Sequence, residues 1–151
     1  MLKVISIGNR IMGDDGIGVL VLEEIKEELE KINVKVLIGE TDFEYALRNI
    51  EDGDFVIIID STYLEVEPGV VTLIELDEAI KYSSENHTQH QLNLIDMIKI
   101  YRKDVRGYIL GIEVSSVDFS LDISDRLKIN FDNICREVLD KICTIHSYLK
   151  R

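Results

Sequence analysis

The sequence predicts an α/β fold: a three-layer α/β/α sandwich around a mostly parallel sheet of about five strands. Two observations lead there. Short β-branched runs alternate along the chain with longer segments whose apolar residues recur at helical spacing. The most hydrophobic run, Phe55-Val56-Ile57-Ile58-Ile59, shows no polar alternation, so it reads as a central strand covered on both faces.

The elements follow in order. Lys3 to Ile7 is β-branched and ends at Gly8, giving the first strand. After a glycine-rich turn, Val19, Leu20, Leu22, Ile25, Leu29 and Ile32 mark an amphipathic helix with Glu and Lys between them. Val34 to Ile38 is a second strand closed by Gly39. Thr41-Asp42 has the character of a helix N-terminus, with Phe43, Ala46, Leu47 and Ile50 on one face. The turn Glu51-Asp52-Gly53-Asp54 leads into the central strand, which stops on Asp60. Pro68-Gly69 is a turn, and Val70 to Leu76 is a further strand. The return from Asp60 is too short for a crossover helix, so this strand is expected to run antiparallel at an edge. Lys81 to Gln89 is polar and reads as a loop; Leu92, Leu94, Ile95, Ile98 and Tyr101 resume helical spacing. Gly107 to Ile112 is the last strand, followed by Glu113. The final helix starts near Ser124, with Leu127, Ile134, Val138, Ile142, Ile145 and Leu149 on its apolar side.

Composition bounds the function. The chain has 151 residues, 46% hydrophobic and 30% charged, and a single proline, so residues 1–151 are expected to form one domain. A net charge of −12 opposes approach to nucleic acid or an anionic membrane. No apolar stretch is long enough to span a bilayer, and Val4 to Ile7 is too short for an apolar targeting segment. Cys135 and Cys143 fall on one helix, roughly 12 Å apart along its axis, beyond disulfide reach. They read as small buried hydrophobes in a reducing, cytoplasmic setting.

The chemistry centres on Gly8-Asn9-Arg10-Ile11-Met12-Gly13-Asp14-Asp15-Gly16-Ile17-Gly18. A strand, a glycine turn and a helix is the layout of a phosphate loop, and the Gly8 to Gly13 spacing matches one. Asp14 and Asp15 stand where Lys and Ser or Thr would meet phosphate and magnesium, so the turn invites a cation instead. Open α/β sheets place their sites outside the carboxyl ends of the strands. Asp14-Asp15, Gly39-Glu40-Thr41 and Asp60 all sit at such ends. The histidines are His87, His90 and His146; His146 belongs to the solvated side of the last helix, while His87 and His90 flank a helix start. Asp15, Asp60 and His90 together would form a mixed oxygen and nitrogen set with open positions, suited to zinc, nickel or a similar divalent ion. Each residue also has an ordinary role: Asp14 or Asp15 at a helix dipole, Asp60 as a turn acid, His90 as a helix cap, the glycines as a tight turn; of the two acids the weight falls on Asp15, with Asp14 read as a supporting acid at the dipole. The residues leave both readings open.

The opening stretch is similar to the N-terminal signature of the [NiFe]-hydrogenase maturation endopeptidases. Ile57-Ile58-Ile59-Asp60 resembles that family's strand ending in a metal-binding aspartate, His90-Gln91-Leu92 its histidine segment, and Leu110-Gly111-Ile112-Glu113 its later glycine-containing strand. The resemblance implies an α/β/α fold and removal of a C-terminal extension from a hydrogenase large-subunit precursor after nickel insertion. It implies that Asp15, Asp60 and His90 contact nickel and form the catalytic set, with nickel partly presented by the substrate and serving for recognition, and zinc or cadmium able to replace it in a crystal. The expected protein is a cytoplasmic monomer whose partner is the precursor. Two other readings share these residues: a metal-binding maturation chaperone that does not cut, and a metal-independent aspartate-type protease of related fold. The sequence departs from the family at Ile38-Gly39-Glu40-Thr41, where Glu40 replaces a glycine; it would add a carboxylate to the cleft or alter the choice of partner. The glycines of the opening stretch, Gly16 among them, are expected to let a partner chain approach closely.

Overall fold

A computed structural model describes residues 1–82 and 93–151. Five strands form one sheet: β1 (Leu2–Ile7), β2 (Lys35–Glu40), β3 (Phe55–Thr62), β4 (Val71–Glu75) and β5 (Arg106–Glu113). Their order is β2-β1-β3-β5-β4. β1 pairs in parallel with β2 and β3, and β3 with β5. β4 runs antiparallel to β5 at the edge, as the short return from β3 requires. β3 lies in the middle, and Val56, Ile57, Ile58 and Ile59 are fully buried.

Helices cover both faces. On one, α1 (Ile17–Lys31) and α5 (Asp125–Leu149) pack on Leu2, Val4, Ile57, Ile59, Leu110 and Ile112. On the other, α2 (Phe43–Arg48), α3 (Leu76–Tyr82) and α4 (Leu94–Ile100) cover Ile5, Ile7, Leu37, Val56 and Ile58. Alternate residues of β3 thus face opposite layers, the period-2 consequence of a pleated strand. Asp42 caps α2 through Tyr45 N–H at 3.0 Å, and Ser124 caps α5, both where the sequence placed a helix start.

Three expectations need correction. β3 does not stop at Asp60; it continues through Ser61 and Thr62, which pair with Ile112 and Glu113. Leu76 belongs to no strand. It begins α3, where Leu76 is buried and Ala79 and Ile80 pack beside it at i+3 and i+4. Lys81, read as the start of a loop, is still helical. A helix of barely two turns repeats its apolar spacing too few times to stand out from a strand in the sequence.

One buried ion pair fixes the start of the sheet. Lys3, on β1, is almost fully buried, and its Nζ lies 2.6 Å from Asp54 Oδ2 and 2.6 Å from the Asn49 carbonyl. The turn before β3 is thereby tied to β1. Among the described residues no helix is long and apolar enough to cross a membrane.

Candidate active site

The order of strands sends the chain from β1 to β2 on one side and to β3 on the other. The carboxyl ends of β1 and β3 therefore flank a switch-point crevice, the place where open α/β sheets hold ligands. A cleft of 620 Å³ occupies it, lined among others by Gly8, Asn9, Met12, Asp15, Asp60 and Tyr63.

Asp15 reaches this cleft from a short 3-10 turn, Gly13–Gly16, that joins β1 to α1. Its Oδ2 accepts the Asn9 N–H at 2.9 Å, and its Oδ1 accepts the Ser61 hydroxyl at 2.8 Å. Asp60 projects from β3, and its Oδ1 accepts the Ser61 N–H at 2.7 Å. Ser61 therefore holds both carboxylates, one through its amide and one through its hydroxyl. Burial pushes the Asp60 carboxyl up to about 7; the Ser61 N–H opposes this, and the negative charge of Asp15 adds to it. Tyr63 lies beside the pair, its phenol raised by burial and by the charge of Asp15.

Two of the three expected site residues are thus brought together. The third, His90, lies outside the described residues, as does His87. Among the described residues no group of three or more His, Cys, Asp or Glu side chains is placed to hold a metal. Asp15 and Asp60 do fit a cation: two carboxylates share a partly enclosed site, and one of them resists ionising without a positive charge nearby.

The family model of the hydrogenase maturation proteases, HycI, matches residues 19–141. The chain belongs to the hydrogenase maturation protease family. A Methanocaldococcus jannaschii protein assigned by inference to these proteases is 31% identical over 93% of this chain and 88% of its own. The fold is that of the HybD endopeptidase of E. coli, with a TM-score of 0.75 at 19% identity, covering 95% of this chain and 92% of that one. HybD from Thermococcus kodakarensis gives 0.72 at 21% identity, over 93% and 97%. The family-model match begins after the Asp14-Asp15 turn and takes in Asp60.

In this family member the two neighbouring acids of the opening turn have separate duties. Asp14 is fully buried and points away from the cleft. Its carboxylate accepts the N–H groups of Ser115 (2.8 Å), Ser116 (3.0 Å) and Ser124 (2.6 Å) and the Ser124 hydroxyl (2.8 Å). Its role is to fasten the β5–α5 connection, rather than to serve the dipole of the helix that follows it. Burial alone would raise its pKa; the Ser donors overcome that and hold it below the ordinary range. Glu113 does the same for the β3–β4 connection. Its buried carboxylate accepts the Thr62 hydroxyl at 2.9 Å and the Leu64 N–H at 2.8 Å, and its pKa is likewise lowered against the effect of burial.

Two further expectations change. Glu40 does not add a carboxylate to the cleft: its side chain binds Arg10, which also pairs with Glu23 on α1. Glu40 has φ +53°, a left-handed conformation that glycine adopts without strain. Gly16 does not make room for a partner. A Cβ there would lie 2.9 Å from the Arg10 Cα, so Gly16 lets the turn fold on itself, and Gly16→Val would distort the turn. The cysteines offer no nucleophile. Cys135 is buried in α5, its thiol pushed up to about 12 by burial and by Glu24 and Asp132; Cys143 is half-buried and also raised.

Ser61, Tyr63 and the partners of Asp14 and Glu113 escaped the sequence reading, which made Asp14 a supporting acid but placed it at a helix dipole. A serine directly after the strand acid was the only local signal, and nothing in it indicates a partner 46 residues away.

Proposed function

We propose that this chain is a nickel-dependent endopeptidase that removes the C-terminal extension of a [NiFe]-hydrogenase large-subunit precursor once nickel has been inserted. The observation that supports it most is the Ser61-held pair Asp15 and Asp60 at the switch-point cleft of a hydrogenase maturation protease fold. In this reading Asp15, Asp60 and His90 contact the nickel that the precursor carries. The cleft admits the polypeptide beside it. Burial pushes the Asp60 carboxyl up to about 7, so a cation held beside it would favour the ionised form and release the proton to solvent. Cleavage then requires no side-chain nucleophile and leaves the peptide bond to water.

The test is incubation with nickel-loaded and nickel-free precursor, read by mass spectrometry. Only the nickel-loaded form is expected to lose its extension. Tight binding without cleavage would replace this reading with that of a non-cutting chaperone. One observation favours a second protease reading: a raised carboxyl beside a second carboxylate is also how metal-free aspartate dyads activate water. His90→Ala separates the two, abolishing cleavage in the nickel reading and sparing it in the other.

Ser61→Ala provides a quieter check. Without the hydroxyl, Asp15 loses the bond that ties it to the Asp60 strand and keeps the Asn9 N–H and the Tyr63 phenol, and cadmium affinity measured by calorimetry is expected to fall about 10-fold or more. Unchanged affinity would remove Ser61 from the site.

A further inference from the structure

We propose that Ile11, Phe119 and Leu121 form a docking rim for the precursor, which meets it with an apolar stretch of chain flanked by Lys or Arg. This rests on the reading above, that the cleft receives a polypeptide. Phe119 and Leu121 are 80% and 81% exposed, and Ile11 is 44% exposed. Large apolar side chains grouped in water at one place mark an interaction surface.

These residues do not sit on loose chain. Met12 and Ser120 form a parallel bridge between the β1–α1 turn and the β5–α5 connection. Ser120 N–H donates to the Ile11 carbonyl at 3.0 Å, and Gly13 N–H to the Ser120 carbonyl at 2.9 Å. The buried Asp14 carboxylate fastens the same two segments from below. The rim is therefore preorganised, which lowers the ordering cost of binding. It is also continuous with the cleft, because Met12 from one segment and Val117 from the other line it. A polypeptide laid beside Asp15 has the rim as its next support.

Charge selects the occupant. Asp118, Asp122 and Asp125 are exposed around Phe119 and Leu121, and no Lys or Arg lies between Arg106 and Arg126. Lys128 stands 3.8 Å from Asp122 and offsets one of these acids. A second copy of this chain, at a net −12, would bring like charges together, whereas an apolar segment with basic flanks is complementary.

The experiment compares wild type with the double variant Phe119→Ser, Leu121→Ser against nickel-loaded precursor, following both cleavage and binding on an immobilised-precursor sensor. The double variant is expected to raise KM and weaken binding by about 10-fold or more, with the loss in KM rather than kcat and an unchanged melting temperature. Asp118→Asn with Asp122→Asn is expected to flatten the salt dependence of binding. Equal KM and equal binding in the double variant would overturn the proposal. So would a wild type that self-associates in sedimentation where the double variant does not. If wild type binds precursor without cutting it, the protease reading fails, and the binding comparison still decides the docking rim. If wild type does not bind, the rim is not a docking surface for the precursor.

Discussion

Asp60→Asn is expected to lower cleavage by at least about 10²-fold, the scale of removing a group that acts at the reacting centre, and to make the fold more stable at pH 8. The two effects have one cause. Asp60 sits on a buried strand beside Asp15, and its carboxyl is pushed up to about 7 from an ordinary 3.8. The folded protein therefore holds that proton more tightly than the unfolded chain does, and ionising it opposes folding. The penalty is absent below the ordinary pKa, grows through the interval up to about 7, and is complete above it. Asparagine keeps an oxygen for the Ser61 N–H and carries no charge, so it removes the penalty along with the carboxylate that the proposed function uses. Denaturant midpoints at pH 8 and pH 4 check the first half: the variant gains at pH 8 and matches wild type at pH 4. Retained cleavage, or no gain at pH 8, would show that Asp60 is an ordinary strand-end acid. Trading stability for a charged cleft is common at functional sites.

The opposite balance holds at Asp14. Asp14→Ala leaves the amides of Ser115, Ser116 and Ser124 and one hydroxyl without their acceptor. Removing one side of a buried charged network costs about 3–5 kcal/mol, against a total of roughly 5–15 kcal/mol for a domain. Urea unfolding is expected to show a large part of the protein's stability gone. Because the Asp14 and Glu113 pKa values are lowered, the stability they add is present above the ordinary carboxylate range and lost as pH falls through their depressed values. Wild type should therefore weaken steeply in acid, and Asp14→Ala less steeply, having already lost one of the two groups. A variant that unfolds at the wild-type urea concentration would refute this account.

The sequence disclosed what depends on local pattern. β3 could be placed at the centre because an unbroken apolar run has no solvent face to offer, and β4 at the edge because too little chain separated it from β3. Asp15 and Asp60 could be singled out because strand ends are where open sheets expose chemistry. What stayed hidden depends on contacts across long separations. Asp15 could be preferred to Asp14 in the sequence, but that Asp14 turns into the core to hold Ser115, Ser116 and Ser124 could not. Glu40 reads as a cleft acid until Arg10 is seen to draw it aside. α3 was invisible for a different reason, being too short to show its period.

The span of the Asp14 contacts bears on how the protein comes into being. They join positions 101 to 110 residues apart, whereas β1, α1 and β2 can pair within the first part of the chain. Closing so long a loop is entropically late, and on a ribosome it must wait until the residues through Ser124 have emerged. Until then the acidic turn lacks its fastening, and Asp15 has no fixed bearing on the cleft. The cleft that the proposed function uses is thus set among the last acts of folding, after nearly the whole sheet has its strands.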